Sequence, residues 1–114
     1  MRDFRKLDIW NQTIDYTDRI YDICESFPKN EIFGITQQIK NCTVSIPSNI
    51  AEGCSRSSSK EFGRFLEIAL GSSFELETQL IIAGRRKFYI DSTLIEELNI
   101  IQKRINALLK SIQK

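Results

Sequence analysis

The sequence predicts an all-α domain, an antiparallel up-down-up-down four-helix bundle with a proline-kinked second helix. Three observations predict it. Apolar residues recur at mixed spacings of three and four along four separate segments, the period of a helix with one buried face. Short stretches separate the segments, so consecutive helices should lie side by side and antiparallel. Strand-like alternation is scarce, and only five Gly and two Pro punctuate the 114 residues. That length makes one domain with a core of its own. With about 20 residues per helix, the bundle should be about 30 Å long.

The first helix covers roughly residues 7 to 26. Leu7, Trp10, Ile14, Thr17, Tyr21 and Cys24 form the expected seam. A second apolar stripe, Ile9, Tyr16, Ile20, Ile23 and Phe27, lies about 110° around the axis. The apolar face is thus wider than one intramolecular seam requires. "FPKNE" marks a turn, because Pro28 disfavours helical backbone at Phe27.

The second helix should begin between Asn30 and Ile35 and end at Gly53, a natural left-handed terminator. Its apolar stripe, Ile35, Ile39, Cys42, Ile46 and Ile50, stays in phase across Pro47. One helix with a bend follows, since Pro47 cannot donate to the carbonyl of Thr43 and its ring presses on it. Gln38, Asn41, Ser45, Asn49 and Glu52 form a stripe of mostly uncharged amides and hydroxyls. Such groups suit a subunit contact or an internal polar network more than a plain solvated face.

The third helix has a capping box, Ser58 with Glu61, after the flexible "SRSSS" linker. Its seam is Phe62, Leu66, Ala69, Ser73, Leu76, Leu80 and Ala83, with Phe65, Ile68, Phe74, Ile81 and Ile82 as apolar bulk beside it. Burial on more than one side is expected. Gly71, with Ala69, Ser72 and Ser73, makes a thin waist where another backbone can approach. The fourth helix starts near Asp91 to Thr93, where Thr93 and Glu96 offer a second box. It carries one stripe, Leu94, Leu98, Ile101, Ile105, Leu108 and Ile112, and should be the most exposed helix. Phe88 and Tyr89 offer aromatic contacts to a partner or close the turn before it.

Composition narrows the function. There is no histidine, which removes the commonest general base and metal ligand. A di-iron bundle needs Glu-x-x-His motifs, and zinc would have to use cysteines of which two lie on core stripes. No phosphate-binding glycine loop is present. Neither enzymatic activity nor a cofactor is expected. Cys24, Cys42 and Cys54 are an odd number without a CxxC motif, which fits a reducing cytoplasm. "MRDFRKLDIW" puts charges where a leader needs an apolar run, and no stretch approaches a membrane span.

"DFRKLDIW", "FPKNEIFGIT", "SIPSNIAEG" and "EFGRFLEIALGSSFELETQL" resemble, in this order, the 23S rRNA intervening-sequence proteins, a four-helix-bundle family. The resemblance spans residues 3–112. It implies a small bacterial protein without catalytic activity that assembles into a ring-like homopentamer. A related branch, the accessory proteins of diversity-generating retroelements, is strongly basic and binds nucleic acid; a net charge of +1 sets this chain apart from it. Carried onto this chain, the family motifs point to Ser45, Pro47, Asn49, Glu52 and Gly53. On the third helix they point to Phe62, Arg64, Phe65, Gly71, Glu75, Glu77 and Gln79. Arg64 would need Glu52, Glu75 or Glu77 as a partner if buried.

The antiparallel topology also predicts a polarised molecule. One end gathers Arg2, Arg5, Lys6, Arg56, Lys60, Arg64, Lys110 and Lys114, eight cations against Asp3, Asp8, Glu52 and Glu61, a surplus of four. The other end sets Lys29, Arg85, Arg86 and Lys87 against six carboxylates. A ring would point every basic end the same way. The basic end is therefore a candidate RNA or DNA contact. The alternative is a scaffold or adaptor that binds protein alone.

Overall fold

A computed structural model describes residues 2–113. A short 3-10 turn, Phe4–Lys6, leads into α1 (Asp8–Cys24), and a second, Lys29–Glu31, precedes α2 (Ile35–Cys54). Helices α3 (Ser59–Arg85) and α4 (Thr93–Ile112) complete the chain. Each helix packs on its two neighbours in the cyclic order α1, α2, α3, α4, and α2 against α3 is the most extensive contact. The ends meet as antiparallel neighbours must. Near one end the Arg2 amide donates to the Cys54 carbonyl at 3.0 Å. Toward the other, the Tyr16 hydroxyl donates to the Leu94 carbonyl at 2.8 Å.

The bundle measures 44 × 23 × 20 Å, longer than equal helices would make it. The cause is α3, whose 27 residues extend about 40 Å at the α-helical rise. Its start is capped as expected: Ser58 Oγ accepts from the Glu61 amide at 3.1 Å. Helix α4 is capped differently. The Thr93–Glu96 box does not form; Thr93 is the first helical residue, and its amide donates to the Asp91 carboxylate at 3.0 Å in an Asx turn that serves the first orphan donor.

The core confirms the α3 seam in full and corrects the α1 seam. Phe62, Leu66, Ala69, Ser73, Leu76, Leu80 and Ala83 are all buried. In α1 the buried residues are Ile9, Thr13, Tyr16, Ile20 and Cys24, while Trp10, Ile14 and Thr17 are half-buried and Tyr21 is exposed. The second stripe faces inward. Tyr16 decides this, since its ring fills the core while its hydroxyl finds the Leu94 carbonyl. The inward stripe of α4 shifts near its end: Leu109 is buried and Leu108 only half so. Gly63 leaves room there, with a Cβ at that position coming 3.7 Å from Leu109.

Helix α2 runs unbroken through Pro47, as its in-phase stripe required. Gly53 corrects a second expectation. No described glycine has positive φ, so Gly53 does not end α2 by a left-handed turn. It is needed for space: a Cβ there would stand 2.9 Å from both Phe62 Cδ1 and Phe65 Cβ. The left-handed terminator lies just past the end of α3 instead. Lys87 adopts φ 63°, and the Phe88 and Lys87 amides donate to the Ala83 and Gly84 carbonyls, both at 3.0 Å. This pair of bonds is a Schellman motif. Lys87→Gly should therefore raise stability by about 0.5–1 kcal/mol, read from the midpoint of urea unfolding; a lower midpoint would contradict that account.

Beyond it, Phe88 and Tyr89 pack on Phe27, with centroids 5.5 and 6.3 Å away. Tyr89 also donates to the Leu80 carbonyl at 2.8 Å. Both aromatics close the turn. Among the described residues nothing covers the outer flanks of α3. Ile68, Phe74, Ile81 and Ile82 are exposed, so in the single chain this helix is buried on its inner side only.

Candidate interaction surfaces

The family-motif residues fall in three places. Along the α2–α3 seam Ser45, Asn49 and Ser72 form a half-buried cluster. Ser45 Oγ lies 2.8 Å from Ser72 Oγ, and Asn49 Nδ2 donates to the Ser45 carbonyl and hydroxyl at 2.7 and 3.0 Å. Gln38, Asn41 and Glu52, the rest of the stripe, are exposed. One turn along the seam, Cys42 sits beside Glu75 and Gln79. Burial pushes its thiol up to about 11, and the neighbouring Glu75 carboxylate adds to the rise. Gln79 is buried with its Oε1 unpaired among the described residues. Gly71 faces open space, with nothing within 4 Å of a Cβ built there. Pro47 lies on the other flank of α2, in an apolar groove with Trp10 and Ile14 of α1.

Glu77 lies on the opposite flank of α3 and serves a different contact. It accepts from Asn99 Nδ2 at 3.0 Å and from Gln102 Nε2 at 2.9 Å, so its half-buried charge is compensated by amide donors rather than by a cation. Asn99 and Gln102 escaped the sequence reading. The available signal was Gln102, four residues beyond Leu98 and adjacent to Ile101, a polar residue at core spacing. Arg64 and Glu75 are both exposed and form no ion pair among the described residues. Arg64 would need Glu52, Glu75 or Glu77 only if buried, and it is exposed in the single chain. Glu52 pairs instead with Arg56 at 3.4 Å, one helical turn on.

The third place is the basic end. Three of its arginines are held over phenylalanine rings: Arg2 over Phe62 at 4.3 Å, Arg5 over Phe4 at 4.5 Å and Arg56 over Phe65 at 4.8 Å. Arg56, Lys60 and Arg64 line a surface depression with Phe65. Lys6, Lys60 and Lys110 are exposed and outside any ion pair among the described residues. Lys114 lies outside the described residues.

The opposite end is tied by charge. Arg19 of α1 donates to Asp91, Thr93 and Glu97, clamping α1 to the start of α4. The hydrogen bond from Arg19, helped by those from Thr93, holds the Asp91 carboxyl down at about 2. A carboxyl depressed in the folded state stabilises it at pH values above its unfolded pKa, and that contribution disappears as pH falls through the folded value. The Asp91 contribution should thus fade between about pH 4 and pH 2. Asp91→Asn should flatten the acid limb of stability measured by urea unfolding at stepped pH. Parallel curves for the two proteins would refute the clamp's role.

Among the described residues no group of three or more Cys, Asp or Glu side chains is placed to hold a metal ion. No described helix is long and apolar enough to cross a membrane. No curated protein matches the chain significantly. A solved structure does: a protein of unknown function from the S23 ribosomal protein family of Bacteroides thetaiotaomicron VPI-5482, determined at 1.70 Å. It shares 29% identity and superposes with a TM-score of 0.73, covering 93% of this chain and 98% of that one. Residues 5–112 match the family model described as 23S rRNA-intervening sequence protein. With nearly its whole length matched and the four-helix architecture in place, the chain belongs to the 23S rRNA-intervening sequence protein family.

Proposed function

We propose that this is a non-enzymatic cytoplasmic protein that assembles into a closed homo-oligomer, pentameric as the family resemblance implies, and binds RNA or DNA through its basic end. The observation that carries the binding is the convergence of Arg2, Arg5, Lys6, Arg56, Lys60, Arg64 and Lys110 at one end of the bundle. Among the described residues only Arg5 and Arg56 of these are paired with carboxylates, and both pairs are exposed. Such pairs offset little of the local charge. Assembly draws support from the uncovered apolar residues of α3 and from the open space at Gly71. A cyclic arrangement repeats the patch once per subunit on one face.

Filter binding over a range of salt tests the reading. Affinity should fall steeply with salt as counterions are released. Replacing Lys60 and Arg64 with Gln should lower the salt slope by about 1 per lost phosphate contact. Absence of binding at low salt would refute the reading. A protein scaffold is the second reading, favoured by Phe33 and Ile90, which are 93% and 96% exposed at the opposite end. Pull-downs with and without nuclease separate the two: partners lost after digestion indicate nucleic acid, and partners retained indicate a scaffold.

A further inference from the structure

We infer that the basic end is built for single-stranded rather than duplex nucleic acid, with bases stacking on arginines already held over phenylalanine rings. This rests on the reading that the basic end binds nucleic acid at all. The three arginine–phenylalanine pairs are neighbours. Phe62 and Phe65 both press on the position of Gly53, and the Arg2 amide is bonded to the Cys54 carbonyl beside it. Arg2, Asp3, Phe4 and Arg5 in turn share one surface depression with Ala51 of α2 and Ser55 just beyond it.

Beside these rings the Arg5 and Arg56 side chains remain 72% and 41% exposed, although each also pairs with a carboxylate, Asp3 and Glu52. Phe62 is fully buried and Arg2, whose guanidinium lies 4.3 Å from the ring centroid, is half-buried above it. An unpaired base stacks on a guanidinium plane as it does on an aromatic ring. In a duplex those base faces are covered by their neighbours, and only phosphates and groove edges remain. An arginine held in advance on a ring also loses less freedom on binding than a mobile one. Lys6, Lys60 and Arg64 around these pairs supply contacts to phosphates.

The test is fluorescence anisotropy of labelled single-stranded RNA, single-stranded DNA and a duplex of equal length, each at low and raised salt. Both single strands should bind about tenfold or more tightly than the duplex, and the tighter of the two names the preferred sugar. The decisive variant is Arg2→Lys/Arg5→Lys/Arg56→Lys, which keeps every charge and removes the planar groups. It should lose about tenfold in affinity for single strands, with the salt slope and duplex binding unchanged. Should circular dichroism show that the triple variant has lost helix, Arg2→Lys/Arg5→Lys, which leaves the linker between α2 and α3 untouched, carries the same comparison. Equal binding of strands and duplex, or a lysine variant indistinguishable from the parent, overturns the stacking inference and leaves the electrostatic reading standing. No binding to any probe at low salt overturns both.

Discussion

Gly53→Ala should destabilise the bundle by about 1–2 kcal/mol, and Gly63→Ala ten residues later should stabilise it by about 0.5–1 kcal/mol. Both positions are helical and buried, and alanine relieves the helix of glycine's flexibility at each. Space makes the difference. A Cβ at Gly53 would meet Phe65 Cβ and Phe62 Cδ1 at 2.9 Å and the Phe62 carbonyl at 3.3 Å. Two of those atoms belong to or adjoin the backbone of α3, so the helices themselves must part. Overpacking of this kind costs about 1–3 kcal/mol, against about 1 kcal/mol gained in propensity. At Gly63 the nearest atoms are flexible ends, Ile112 Cδ1 at 3.6 Å and Leu109 Cδ2 at 3.7 Å, ordinary contacts that a methyl group improves. Urea unfolding of both variants at one protein concentration checks the pair. Equal shifts of the same sign would mean that close approach at Gly53 is not what requires a glycine.

Ile68→Glu combined with Ile82→Glu should convert the assembly to single subunits while leaving the bundle folded. Both side chains are about half exposed in the isolated chain, 46% and 48%. They lie on one outward stripe of α3 with Gly71 and Glu75, at the spacing of a single helix face. Surface substitutions away from packed features shift stability by about 0.5 kcal/mol or less, so the fold should survive. Two buried carboxylates per contact, beside the existing Glu75, would not be tolerated in an interface. Light scattering should report a multiple of 13.2 kDa for the parent and a single chain mass for the variant. An unchanged multimer would move the interface elsewhere, and a monomeric parent would end the assembly proposal.

Much of the fold was legible because helical periodicity is a local signal. The α3 seam was read residue by residue, and the Ser58–Glu61 box marked the start of α3. The in-phase isoleucines of α2 showed that Pro47 does not interrupt the helix. The sites were less legible, since their geometry depends on which helices meet. The α2 stripe was recognisable as polar, but its partner Ser72 lies 27 residues from Ser45. Glu77 could be recognised as a charge in an apolar helix, yet its amide partners are 22 and 25 residues away.

By itself, then, the sequence determined four helices, their order, their inward faces in α2 and α3, and the concentration of cations at one end. Tertiary structure decided the rest. It chose between the two apolar stripes of α1, because periodicity defines angles around an axis and only a neighbouring helix defines which angle points inward. It turned Gly53 from a terminator into a point of close approach, and moved the left-handed residue to Lys87. It also laid three arginines over phenylalanines from three different parts of the chain. The Arg5–Phe4 contact is local to one turn, but Arg2 reaches Phe62 only when the start of the chain is brought to the start of α3, and no spacing along the chain encodes that.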